Sequence, residues 1–194
     1  MEKICEQILK SKSSVNRLRE LAPKEPGVYA IFLNQGIKLP HGIVQGEQGC
    51  IYVGKAESGI RKRILQEHLK TGNSGRSAFR RRLGAVLKDE LKLTAIPRDE
   101  KFGKKHRLFK FEEAGEVALS KWITENVSFG WCIINEEREI KQSEKNLAFR
   151  LKPCLPDEPD WGNPYKTKIE SLYASCVSEG GEKYESIYCP SKNF

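Results

Sequence analysis

Apolar positions recur along this chain in two rhythms, and the alternation between them lays out the elements. Ile4, Ile8, Leu9, Val15, Leu18 and Leu21 fall at helical spacing among charges and predict a helix over 2–21, which Pro23 and Pro26 stop. The run Val28 to Leu33 is continuously apolar, as a central strand buried on both faces requires. A Gly-rich polar stretch over 34–48 reads as a loop, and 50–53 as a second strand antiparallel to the first. Residues 59–69 predict a basic helix and 71–75 a break. Ser77 is placed to cap a further helix with Phe79, Leu83, Val86, Leu87 and Leu91 on one stripe. Beyond a basic loop at 97–107, a short strand is expected at 107–111, a helix at 116–126, a strand at 128–135 and a helix at 137–151 ending before Pro153. From Pro156 the chain is Pro-rich and then polar, a tail expected to wrap the surface or stay partly mobile.

This pattern predicts one α+β domain over 1–194: a helical lead (1–22), a core (23–164) and a tail (165–194). The sheet is expected to be small, mainly antiparallel and three-stranded, flanked by helices, with an inserted basic helix. Composition narrows the class further. With 31% charged and 38% hydrophobic residues, no bilayer-length apolar run and no apolar leader core, a cytoplasmic protein without a membrane partner is expected. Six scattered cysteines without a C-x-x-C pair read as reduced thiols.

Charge changes the picture more than composition does. Residues 61–110 hold 16 Lys or Arg against 5 Asp or Glu, a local +11 in a chain of net +8, so the remainder sums to −3. That asymmetry points to a polyanionic partner, although a solvated basic face would look the same.

The stretch Gly49-Cys-Ile-Tyr-Val-Gly-Lys-Ala56 imitates a nucleotide-binding loop and fails as one. Its four intervening residues belong in a strand, and Ala56 stands where a magnesium-binding hydroxyl is needed. In the helix at 137–151, Glu144 shares a stripe with Ile140, Leu147 and Leu151. A carboxylate there needs a partner or a place at the rim, and a lone one suits a hard cation that also takes waters and phosphate oxygens.

Gly27-Val-Tyr29, Tyr52-Val-Gly54, an arginine on the following helix and this late glutamate, in that order, resemble the GIY-YIG nuclease superfamily. Tyr52 to Ala56 with Ile60 to Ile64, and Glu144 with the Lys152-Pro153 exit, are similar to the incision module of bacterial nucleotide-excision repair. Residues 74–98 also resemble a stand-alone bacterial subfamily with an inserted basic helix. The resemblance implies metal-dependent endonucleolytic cleavage of DNA, branched or damaged forms and RNA remaining alternative substrates. It implies that Tyr29 assists deprotonation of the attacking water with Tyr52 in support, and that Arg63 stabilises the phosphorane. Glu144 would hold Mg²⁺ or Mn²⁺, and Lys55 would meet a phosphate. Gly54 would let backbone approach where a side chain would block it.

Read without the family, Tyr29 and Tyr52 are strand aromatics, and Arg63 is one basic residue among many. Arg61 stays a second choice for the catalytic arginine, because His68, a possible helper, aligns with Arg61 rather than Arg63 on an ideal α-helix. Asn163 either replaces an asparagine the family carries after the Lys-Pro exit or is a turn residue before proline. The loop over 34–48 is longer than the family's usual connection. Arg61, Arg76, Arg80, Arg81, Arg82, Lys104 and Lys105 are expected to contact the nucleic-acid backbone. Rival readings are a catalytically inactive nucleic-acid-binding module of the same fold and a small basic protein that binds an acidic partner. Oligomeric state is not legible.

Overall fold

The computed structural model describes residues 2–99, 108–155 and 161–188. Lys104 and Lys105, with most of the expected basic loop, lie outside the described residues. In chain order the elements are α1 (Glu2–Lys10), β1 (Ser13–Ser14), α2 (Leu18–Leu21), β2 (Gly27–Leu33), β3 (Cys50–Ala56) and α3 (Ile60–Lys62). There follow α4 (Ala78–Val86), α5 (Lys88–Leu91), β4 (Ala95–Pro97), β5 (Phe109–Phe111), α6 (Glu113–Asn126), β6 (Val127–Ile133), α7 (Glu137–Leu151) and α8 (Lys166–Tyr188).

Strand β2 is buried at all seven positions, as its unbroken apolar run demands. It pairs antiparallel with β3 on one side and β6 on the other, in a sheet ordered β1-β6-β2-β3. The sheet thus has four strands where three were expected. The fourth is the two-residue β1, which pairs Ser13 with Phe129 and Ser14 with Ser128. This strand also breaks the expected single N-terminal helix. Ser11, Ser13 and Ser14 are poor helix formers whose hydroxyls compete for backbone partners, and Ser11 Oγ bonds both N–H and C=O of Trp131 (2.7 and 2.8 Å). A second ribbon pairs β4 with β5, clear of the main sheet.

Each face of the sheet has its own cover. Val28, Ala30 and Phe32 pack against Ile8 of α1 and against Ile140, Leu147, Ala148 and Leu151 of α7. Tyr29, Ile31 and Tyr52 look the other way, toward Ile60, Ile64, Phe79 and Leu83. The segment expected as a polar tail is instead the 23-residue α8, with Ile169 and Cys176 in the core. It packs along α4 and β4. Cys5, Cys50, Cys132, Cys154 and Cys176 are free thiols. Among the described residues no helix is long and apolar enough to cross a membrane.

Candidate active site

Adjacent antiparallel strands set the site's register. Tyr29 of β2 stands opposite Gly54 of β3, and Tyr52 opposite Ile31, so both phenols share one face. Tyr29 lays its ring across Gly54: a Cβ there would fall 2.7 Å from the Tyr29 Cζ. Glycine at 54 is therefore needed for the tyrosine of its own neighbouring strand. Tyr29, Tyr52, His68 and Phe79 form an aromatic box with ring centroids 5.3–6.4 Å apart.

The helix after β3 changes its winding where the chemistry lies. Beyond α3 the backbone turns π-helical over Arg63–His68, with the Leu69 N–H reaching the Ile64 carbonyl five residues back (2.9 Å). A π-turn brings residues i and i+5 together, so His68 lies beneath Arg63 and not beneath Arg61. Both reach one oxygen: Arg63 Nε lies 3.4 Å and His68 Nε2 2.5 Å from the Tyr29 hydroxyl. Glu67 accepts a hydrogen bond from Arg63 Nη1 one turn on, fixing the guanidinium from the other side.

His68 links the phenol to the start of α4. Ser77 caps α4, its Oγ accepting from the Arg80 backbone N–H (3.2 Å), and lies 2.8 Å from His68 Nδ1. Ser77 and Tyr29 are both fully buried, and the neutral imidazole bridges their hydroxyls, donating from one ring nitrogen and accepting at the other. The Arg63 Nε–H donates to the phenol oxygen, and that donor with its positive charge favours phenolate. Burial opposes it. With no solvent exposure, desolvation pushes Tyr29 well above the ordinary tyrosine range, while Arg63 pulls back down and Glu144 and Glu67 add to the rise. His68 is held well below its usual value by burial, then by Arg63 and Arg80, and is neutral at pH 7. Burial works against the charge on Arg63 too, but Tyr29, Glu67 and Tyr52 outweigh it, and the guanidinium holds its proton more firmly than usual.

Glu144 stands half-buried at the margin of the α7 apolar stripe. Its charge reaches both the Tyr29 phenol and the Lys55 ammonium. Lys55, on the edge strand β3, pairs with Glu57 (2.6 Å), the main cause of its raised pKa. Among the described residues no group of three or more His, Cys, Asp or Glu could hold a metal. Glu144 offers one carboxylate, which suits a hard divalent ion that otherwise takes waters and phosphate oxygens.

A family model for the GIY-YIG catalytic domain matches residues 27–167. The chain belongs to the GIY-YIG family. No curated protein and no solved structure matches it. The GIY-YIG assignment carries a nuclease-type function and a nucleic-acid substrate, and nucleases of this family generally depend on a divalent metal.

Within the GIY-YIG frame several expected residues lie elsewhere. Arg61 points back at the N-terminal lead, donating to the carbonyls of Ala22 (2.6 Å) and Glu20 (3.3 Å). Arg80, expected on nucleic acid, is fully buried and ion-paired with Glu116 (2.6 Å). It also donates to the carbonyl of His68 (3.1 Å) and to Ser120 Oγ (2.9 Å). Arg81, 8% exposed, ties the Ser74 carbonyl to the Tyr173 hydroxyl. Arg81 is interior because α8 lies along α4, whereas Arg80 is turned inward onto Glu116 and Ser120 of α6. Arg82 is half-buried and Arg76 exposed. Asn163 is buried, with Nδ2 on the Cys154 carbonyl and Oδ1 on the Tyr165 N–H, both 3.0 Å. Ser77 was legible only as a helix cap; its bond to His68 depends on the π-turn, which the sequence does not announce.

Proposed function

We propose that the protein is a metal-dependent endonuclease that hydrolyses DNA phosphodiester bonds at the Tyr29 site. The observation that carries this reading is the convergence of Arg63 and His68 on the Tyr29 hydroxyl, beside Glu144, in a GIY-YIG domain. Glu144 would hold Mg²⁺ or Mn²⁺, which supplies electrostatic stabilisation of the charge that develops on the phosphate and leaving oxygen.

The protein's own groups divide the remaining work. Arg63 donates to the Tyr29 oxygen and favours the phenolate, which takes a proton from the attacking water, while His68 holds that oxygen in place. Arg63 is partly exposed and oriented by Glu67, and it presents its remaining N–H groups to the phosphate as negative charge accumulates. Tyr52 packs beside both rings and limits their motion. Lys55 adds a phosphate contact at the sheet edge.

Supercoiled plasmid incubated with Mg²⁺, Mn²⁺ or EDTA tests the proposal. Nicking is expected with either metal, none with EDTA, and none with Glu144→Ala, which should still bind DNA. Equal cutting by wild type and Glu144→Ala would overturn the metal assignment. Binding without cutting under every metal would favour the inactive-module alternative.

A further inference from the structure

Outside the Tyr29 site, the C-terminal end of α7 is flanked by two adjoining hollows. One, of about 320 Å³, lies between the 34–49 loop and the chain after α7, where Trp161 and Tyr165 form its aromatic wall. The other, of about 290 Å³, lies across Gln48 and Lys152 from the first and is walled by Phe149 and Arg150. Glu47, Gln48 and Lys152 line both hollows, so the two make one groove.

Three features make this groove a built surface. Its walls are fixed: Trp161 Nε1 donates to the Pro153 carbonyl (2.9 Å), and Gln48 and Lys152 hold left-handed backbone (φ 57° and 50°). The loop is seated directly on the helix end, where a Cβ on Gly46 would fall 2.7 Å from the Lys152 carbonyl carbon. Phe149 is 56% exposed on an otherwise polar helix face, with Arg150 beside it also exposed. The Lys152 side chain is 52% exposed, and its Glu47 partner lies at 3.8 Å.

Aromatic, basic and aromatic side chains thus follow one another across the groove. Unpaired bases offer their faces to such platforms while cations follow the backbone, with little regard to sequence. Paired bases are stacked on their neighbours and offer no free face. We propose that this groove binds single-stranded nucleic acid, with bases stacked on Trp161 or Tyr165 and on Phe149, and phosphates held by Lys152 and Arg150. Lys152 follows Glu144 by about 12 Å of helix rise, so a strand seated there leads toward the cleavage site. The inference rests on the nuclease reading and adds its substrate class: DNA with an unpaired strand beside the scissile bond.

The test uses the full chain carrying Glu144→Ala, in EDTA, with a fluorescent 12-nucleotide oligo-dT and a duplex of equal length, followed by anisotropy. Adding Trp161→Ala should weaken oligo-dT binding by roughly 5- to 150-fold, the range of one base–aromatic stack, and duplex binding by less than about 2-fold. Trp161→Leu fills the space without a π-face and should lose the same affinity, whereas Trp161→Phe should keep it. Lys152→Ala, a surface change, should lower oligo-dT affinity and reduce its salt slope by about one. Glu47→Gln removes a repelling carboxylate and should tighten binding. No binding of oligo-dT, or equal losses on both ligands, would overturn the proposal. Plasmid cutting without these effects would remove this inference alone. Trp161-dependent oligo-dT binding without any cutting would remove the nuclease reading instead.

Discussion

The π-turn that carries Arg63 and the helix that carries Arg80 are neighbours in sequence, yet they treat cations in opposite ways. Arg63 keeps 29% of its side chain exposed and shares its charge between Tyr29 and Glu67. Arg80 has no exposure and neutralises Glu116 in the interior, while its Nε finds no hydrogen-bond partner. One arginine is available to a phosphate and the other is a strut. The strut nonetheless serves the site, because Arg80 holds the His68 carbonyl and its own backbone N–H caps onto Ser77. Positive charge in a run marks function only where solvent can reach it.

The sharpest way to break this comparison is to remove the strut. Arg80→Ala leaves Glu116 buried without its ion partner and should cost about 3–5 kcal/mol of stability, measured by denaturant unfolding. A loss below about 1 kcal/mol would mean that Arg80 is not the strut described.

Acid should act next. The folded-state pKa of His68 lies below its unfolded value near 6.5, so its contribution is intact above pH 6.5 and is lost as pH falls from there toward the folded value. The slope expected from this one group is about 1.4 kcal/mol per pH unit, and His68→Gln should flatten it in pH-dependent melts. An unchanged slope in the variant would place the acid sensitivity elsewhere.

Ser77→Ala removes a helix cap and the His68 partner together, and about 1 kcal/mol of stability should go with the cap. Cleavage by this variant should also respond to pH. With the His68 ring no longer held by Ser77, the Tyr29 oxygen is less firmly placed on the Arg63 donor, the phenolate is less favoured, and the rising limb of the pH–rate profile should move to higher pH. Ser77→Thr should restore it. The smallest effect is expected at exposed Arg76, where alanine should weaken DNA binding by less than about 3-fold and lower the salt slope by about one.

Local pattern carried much of this architecture. The unbroken run in β2, the α7 stripe and the Ser77 cap all appear where periodicity and capping chemistry place them. What escaped depended on contacts between distant segments. The α8 stripe of Ile169, Tyr173 and Cys176 is present in the sequence but diluted by charges and by Gly180-Gly181. Its packing on α4 reveals why Arg81 is interior, and Glu116 of α6 why Arg80 is. The pairing of His68 with Arg63 was hidden because α-helical spacing places them on different faces, and only the π-turn aligns them. Tyr29, Tyr52 and Glu144 were recognisable through the family motifs, whereas the groove around Trp161 belongs to this chain's long loop and to the segment after α7.

Single-turnover cleavage of a DNA substrate by wild type and Arg63→Ala, at saturating protein and metal, tests the central claim most directly. Removing a preorganised donor to developing phosphate charge should slow cleavage by roughly 10²–10³-fold, while DNA affinity changes by less than about 3-fold. An Arg63→Ala enzyme that cuts at the wild-type rate would contradict the assignment of this site.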